Sequence, residues 1–129
     1  MITTKGMTHI ALPVEDPEQS AHFYASLFNM EVLSSSPEMA FVRTVGSGDL
    51  IAFGRSDVRV ASSRNAMHFG FIVDPDQFDT AVSTIEERSI KKVSEPGRRN
   101  MGRYIFIEDP DGYTVEIFEN LESGWSVGS

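Results

Sequence analysis

The stretch Thr8-His9-Ile10-Ala11-Leu12-Pro13-Val14 runs into Asp16-Pro17, and the second half of the chain repeats the pattern as Met67-His68-Phe69-Gly70-Phe71-Ile72-Val73 running into Asp74-Pro75. Each copy is a short apolar run with a histidine near its start and an Asp-Pro turn at its end. Each is followed by a segment with helical spacing. A duplication on this scale means two copies of one supersecondary unit, which constrains the fold more than any single motif. It also gives His9 and His68 equivalent places. Two imidazoles related by a pseudo-twofold axis are half of a metal site.

The periodicity predicts a strand over residues 7–14 and a helix capped by Asp16, with Pro17 at its first position and Gln19 at its third. Ala21, Tyr24, Ala25 and Phe28 mark one helical face that ends near Asn29. Strands are expected at 31–35, 39–45 and 49–54, with a break at Pro37 and a hairpin turn at Gly46-Ser47-Gly48. Polar residues 55–66 form a linker. The second copy predicts a strand over 67–73 and a helix over 76–88 carrying Phe78, Ala81, Val82 and Ile85. A strand at 90–94 and a loop over 95–102 follow. Strands 103–107 and 113–118 then form a hairpin around Asp109-Pro110-Asp111-Gly112. The tail, 121–129, is expected to be weakly ordered apart from Trp125. The fold class is α+β: one domain, 1–129, of two β-α-β-β-β modules at about 5–56 and 66–120.

Alternation along strands sorts the side chains by face. Ile10, Leu12 and Val14 share the face suited to burial under the first helix. His9, Ala11 and Pro13 share the other. In the second copy Met67, Phe69, Phe71 and Val73 oppose His68, Gly70 and Ile72. In the last strand Tyr113, Val115 and Ile117 oppose Thr114, Glu116 and Phe118. His9, His68 and Glu116 therefore all fall on faces turned away from the helices, and the small neighbours Ala11 and Gly70 leave space beside the histidines. Glu116 lies within an apolar strand, and a buried carboxylate must neutralise, pair or bind a cation. Two neutral imidazoles and one carboxylate form a facial triad that suits Fe(II), Mn(II) or a similar ion with open positions. His22 lies on the first helix and reads as a solvated surface residue.

The chain has 129 residues, 40% of them hydrophobic and 23% charged, so it can bury a sizeable core. Its net charge of −8 argues against a nucleic-acid or anionic-membrane partner, since both need a positive field. With no cysteine, thiolate ligands and cysteine nucleophiles are absent. Residues 1–6 lack the apolar core of a signal peptide, and no apolar run has the length of a membrane span, so a cytoplasmic location is expected.

These motifs, with Phe23-Tyr24 and Asp109-Pro110-Asp111-Gly112-Tyr113-Thr114-Val115-Glu116-Ile117, resemble the vicinal oxygen chelate superfamily over about residues 7–119. That superfamily contains glyoxalase I, type I extradiol dioxygenases, methylmalonyl-CoA epimerase, fosfomycin-resistance thiol transferases and bleomycin-resistance proteins. The resemblance implies a curved eight-stranded cup around one divalent metal ion (Fe, Mn, Zn or Ni), with His9, His68 and Glu116 matching three ligand positions. Departures accompany it. Internal alignment of Gly48 with Gly112 puts Ala52 where glyoxalase I has a further ligand, and alanine cannot bind metal. Phe106 stands where extradiol dioxygenases carry a tyrosine, and Arg98 or Arg99 where they carry a further histidine. Ala11 stands where fosfomycin transferases carry a threonine.

The resemblance implies a divalent-metal-dependent enzyme acting on a small oxygen-chelating substrate. Extradiol-dioxygenase-like ring cleavage leads, and isomerase or lyase chemistry follows. In that reading Glu116 is both ligand and catalytic group. The alternative is a metal-free protein that binds a small molecule or antibiotic and so confers resistance. Phe41, Phe106 and Phe118 could line an apolar cup. Arg98, Arg99 and Arg103 form a local positive cluster suited to a substrate carboxylate or phosphate. Exposed sheet edges and the resemblance together predict a homodimer. Light scattering at micromolar concentration is expected to report a dimer, and the mass of a single chain would contradict this.

Overall fold

The computed structural model describes residues 1–58, 67–99 and 102–119. The chain divides into two compact units, Met1–Ala61 and Ser62–Ser129. The first contains β1 (Ile10–Val14), α1 (Pro17–Phe28), β2 (Met30–Ser35), β3 (Met39–Thr44) and β4 (Ile51–Arg55). Its sheet runs β1-β4-β3-β2, with β1 and β4 parallel and the other pairs antiparallel. Asp16 caps α1 as its sequence position predicts: Oδ1 accepts from the Gln19 N–H at 3.2 Å, and Pro17 occupies the first turn, where a missing N–H costs nothing. Asn29 ends the helix in the left-handed conformation, at φ 53°.

Tyr24 is the hub of this unit's core. It is fully buried, and its ring centroid lies 5.2 Å from Phe53 and 5.9 Å from Phe28. Val14, Ala40 and Val42 are fully buried as well. The strand register puts Leu12 beside Phe53 and Phe53 beside Ala40, so one face of the sheet carries the core.

The second unit repeats the topology. β5 (Phe69–Val73), α2 (Pro75–Glu87), β6 (Gly97–Arg99), β7 (Gly102–Glu108) and β8 (Thr114–Glu119) give a sheet ordered β5-β8-β7-β6, with β5 and β8 parallel. Phe78 and Ile85 of α2 are buried, as are Ile105, Ile107, Val115 and Ile117 of the sheet. The Asp109–Gly112 turn is closed by the Asp109 carboxylate, whose Oδ1 accepts from the Asp111 and Tyr113 N–H groups, each at 2.9 Å. Among the described residues no helix is long and apolar enough to cross a membrane.

Four sequence expectations are corrected. The first strand starts at Ile10 rather than residue 7, so His9 stands just before it. Residues 90–94 do not form a strand. They contribute one bridge, Lys92 to Ile107, and the Val93 N–H donates to the Phe106 carbonyl at 2.8 Å. The third strand of this module lies instead within the expected loop 95–102, where Gly97, Arg98 and Arg99 pair with Tyr104, Arg103 and Gly102. A three-residue polar strand carries no hydrophobic alternation, so its pairing comes from tertiary structure. Arg55 ends β4 rather than opening a linker; residues 59–66, and the tail with Trp125, lie outside the described residues.

Gly102 shows how closely the second sheet is packed. Its φ is +147°, and an added Cβ would collide with the Glu119 backbone carbonyl. Gly102→Ala is therefore expected to destabilise the protein by about 2 kcal/mol or more in urea unfolding. Gly48→Ala meets nothing within 4 Å and should stay within about 0.5 kcal/mol of wild type. Equal effects at the two positions would contradict this account.

Candidate metal and ligand site

In the second unit, strand register brings the candidate residues into rows. On the face away from α2, Gly70, Glu116 and Phe106 are neighbours across β5, β8 and β7, and Phe118, Tyr104 and Gly97 form the next row across β8, β7 and β6. Gly70 must be small. A Cβ there would stand 2.9 Å from the Glu116 carbonyl oxygen and 3.1 Å from the Glu116 Cβ. Gly97 is small for the same reason, since a Cβ would meet the Tyr104 ring at 2.6 Å.

Glu116 is the centre of this face. Its side chain is 10% exposed, and Oε1 lies 3.3 Å from His68 Nε2. The His68 ring stands edge-on to Phe106 at 5.1 Å between centroids. Arg99 Nη2 approaches Glu116 Oε2 to 3.0 Å, yet Oε2 accepts no hydrogen bond. The two observations are compatible. The guanidinium is close enough to offset charge, but its N–H groups do not point at the oxygen. Its central carbon instead lies 4.3 Å from the Tyr104 ring centroid, with Phe106 at 5.8 Å and Phe118 at 5.9 Å. A buried carboxylate oxygen without a hydrogen bond, beside an imidazole nitrogen, is a donor pair with capacity for a divalent cation.

The arginines grouped by sequence are separated by the strand. Arg99 reaches Glu116, whereas Arg98 and Arg103 are paired neighbours on the opposite alternation. Arg103 lies over Phe78 of α2 at 4.6 Å and is bound to Glu119. Glu119 Oε2 accepts the Arg103 backbone N–H at 2.9 Å, Oε1 accepts Nη2–H at 2.7 Å, and Asp79 accepts Nη1–H at 2.9 Å. That network ties β7, β8 and α2 together. Phe106 and Phe118 both lie near Arg99. Tyr104 is a member that sequence reasoning missed, although it stands two residues before Phe106 and so shares its face.

His9 belongs to the first unit. It is exposed, and its Nδ1 lies 2.7 Å from Thr8 Oγ1. It lines an open concavity of about 490 Å³ with Ala11, Pro13, Phe41 and Ala52, on the sheet face away from α1. Ala11 pairs with Ala52 as Gly70 pairs with Glu116, and Phe41 pairs with Ala52 as Phe106 pairs with Glu116. The register thus places Ala52 at the Glu116 position of the first copy, the equivalence the internal alignment gives. Among the described residues no group of three or more His, Asp or Glu side chains is gathered as a cation site.

The model of the Glyoxalase/Bleomycin resistance protein/Dioxygenase superfamily matches residues 6–117. The chain belongs to that superfamily. Its two β-α-β-β-β units are the duplicated architecture of the group. A glyoxalase/dioxygenase from Nostoc punctiforme shares 27% identity at a TM-score of 0.77, covering 92% of each chain. The fosfomycin resistance protein FosX of Listeria monocytogenes was solved as a mutant with Mn(II) and 1S,2S-dihydroxypropylphosphonic acid. It shares 22% identity at a TM-score of 0.79, covering 94% of this chain and 96% of that one. The oxidase ChaP-H2 shares 24% identity at a TM-score of 0.76, covering 92% and 96%. At these last two identities the likeness is one of fold.

The Glu119 network gives this superfamily member a defined acid response. Hydrogen bonds from the Arg103 side chain, reinforced by its backbone N–H and the nearby Arg98 charge, hold the Glu119 carboxyl below its ordinary value of 4.5 against the opposing effect of burial. The folded state therefore binds this proton less readily than the unfolded state. The stabilisation is full above pH 4.5 and is lost as pH falls below it toward the depressed folded value. Glu119→Gln is expected to lower Tm at neutral pH, with the gap to wild type narrowing below pH 4.5. A gap independent of pH would contradict the assignment.

Proposed function

We propose that the chain is a divalent-metal-dependent enzyme of its superfamily, acting on a small molecule that presents two adjacent oxygens. The observation that carries the reading is Glu116: a buried carboxylate beside His68 Nε2, with Oε2 accepting no hydrogen bond. Within the second unit His68 and Glu116 would hold the ion, and the family resemblance alone makes His9 a further ligand. When bound, it supplies Lewis-acid stabilisation to the chelating oxygens. Glu116 contributes the negative charge that makes a cation favourable there. Phe106, Phe118 and Tyr104 form an aromatic surround that suits an apolar or ring-bearing substrate. Ring-cleaving dioxygenase chemistry leads, with isomerase or lyase chemistry next. The Mn(II) complex of the FosX relative and the oxidase relative support the class of chemistry without fixing the reaction. A cytoplasmic homodimer belongs to the same proposal.

A second reading has its own observation. The Arg99 guanidinium already lies 3.0 Å from Glu116 and offsets its charge, an arrangement suited to a metal-free binding protein. Elemental analysis of freshly purified protein separates the two. The enzyme reading expects about one Fe, Mn, Zn or Ni per chain, and Glu116→Ala and His68→Ala should each weaken uptake by more than the roughly 10–100-fold typical of losing an outer-shell partner. Metal-free wild type that still binds small aromatic ligands would replace the enzyme reading with the binding protein.

A further inference from the structure

Two cations would contend for one carboxylate at Glu116. The arginine already present is held in an unusual way. Its Nη2 stands 3.0 Å from Oε2, yet that oxygen receives no hydrogen bond. The guanidinium instead rests over Tyr104 at 4.3 Å, with Phe106 and Phe118 within 5.9 Å. Aromatic faces attract a cation through their quadrupoles. Arg99 therefore has a seat that does not depend on the carboxylate. Its side chain is 48% exposed, so it has room to shift without disturbing the core.

A divalent ion at Glu116 would face this positive charge at close range, where like charges repel strongly in a partly desolvated site. The geometry points to Arg99 as a displaceable counter-cation. It offsets the Glu116 charge until the metal arrives, gives up the carboxylate to the ion, and then offers its planar fork from the aromatic seat to an oxyanion on the ligand. This rests on the metal site proposed above and adds a substrate class: a small molecule carrying a carboxylate, phosphate or phosphonate beside its chelating oxygens. The arginine fork matches such groups bidentately, which a lysine cannot do. Metal and oxyanion then bind with positive coupling, and the coupling is reciprocal by thermodynamic necessity.

The test is calorimetric titration of Mn(II) into wild type, R99M, R99K and E116Q, with and without methylphosphonate or acetate. Methionine keeps an unbranched stem over Tyr104 and removes the charge. R99M should bind Mn(II) roughly fivefold tighter or more than wild type when no anion is present. Methylphosphonate or acetate should tighten Mn(II) binding to wild type by a similar factor, have little effect on R99K and none on R99M. Whichever anion gives the larger effect identifies the ligand group. E116Q should lose Mn(II) binding in every condition. Equal Mn(II) affinity in wild type and R99M would overturn the counter-cation role while leaving the metal site intact. Mn(II) uptake by neither protein would overturn both. An anion effect that persists in R99M would overturn the oxyanion role. Should R99M fail to fold, R99Q, which also removes the charge, takes its place in both comparisons.

Discussion

A strand hydrogen-bonded along both edges has no backbone capacity left, so whatever it contributes must come from its side chains and their alternation. β8 is such a strand, parallel to β5 on one side and antiparallel to β7 on the other. Val115 and Ile117 are buried with the hydrophobic core of the second unit, while Thr114, Glu116 and Phe118 point the other way. A slip of one residue would exchange the two sets, placing a carboxylate in the core and the core residues on the candidate site. The cost of that exchange fixes the register, and the register fixes which side chains meet Glu116.

The same strand carries two buried glutamates, Glu116 and Glu119, of opposite alternation. Each has an arginine, and the two pairs differ in kind. Arg103 meets Glu119 through backbone and guanidinium hydrogen bonds of 2.7 to 3.1 Å, and its remaining reach goes to Asp79. That carboxylate is saturated and serves to fasten the sheet to α2. Arg99 meets Glu116 by proximity alone and leaves Oε2 unsatisfied. A fully bonded buried carboxylate is structural, whereas one with spare acceptor capacity is available for chemistry. Alternation assigns the two glutamates to opposite faces, but spacing alone does not show which carboxylate is saturated.

Much of the fold was legible because the repeat gives each element a second witness. The Asp16-Pro17 cap, both helices, the Asp109–Gly112 turn and the outward alternation of Glu116 all follow from local spacing. β6 was not legible. Gly97, Arg98 and Arg99 have no apolar rhythm, and the Pro96-Gly97 turn signal dominates there. Their strand character comes from β7, with Tyr104 lying across Gly97. Missing that strand also merged Arg98, Arg99 and Arg103 into a single loop cluster. Once the pairing is in place, alternation divides them, and the site keeps Arg99 and gains Tyr104.

The pairing of Ala11 with Ala52 has a consequence for how such a scaffold can change. Ala52 occupies in the first sheet the position that Glu116 occupies in the second, with Phe41 beside it as Phe106 is beside Glu116. Alanine and glutamate codons can differ by a single nucleotide. A carboxylate is therefore within one mutational step at a place where strand pairing would not need to shift. The repeat gives this protein a shared strand geometry and a chemically neutral copy of its own acidic position. Selection could recruit or silence that position without rebuilding either sheet.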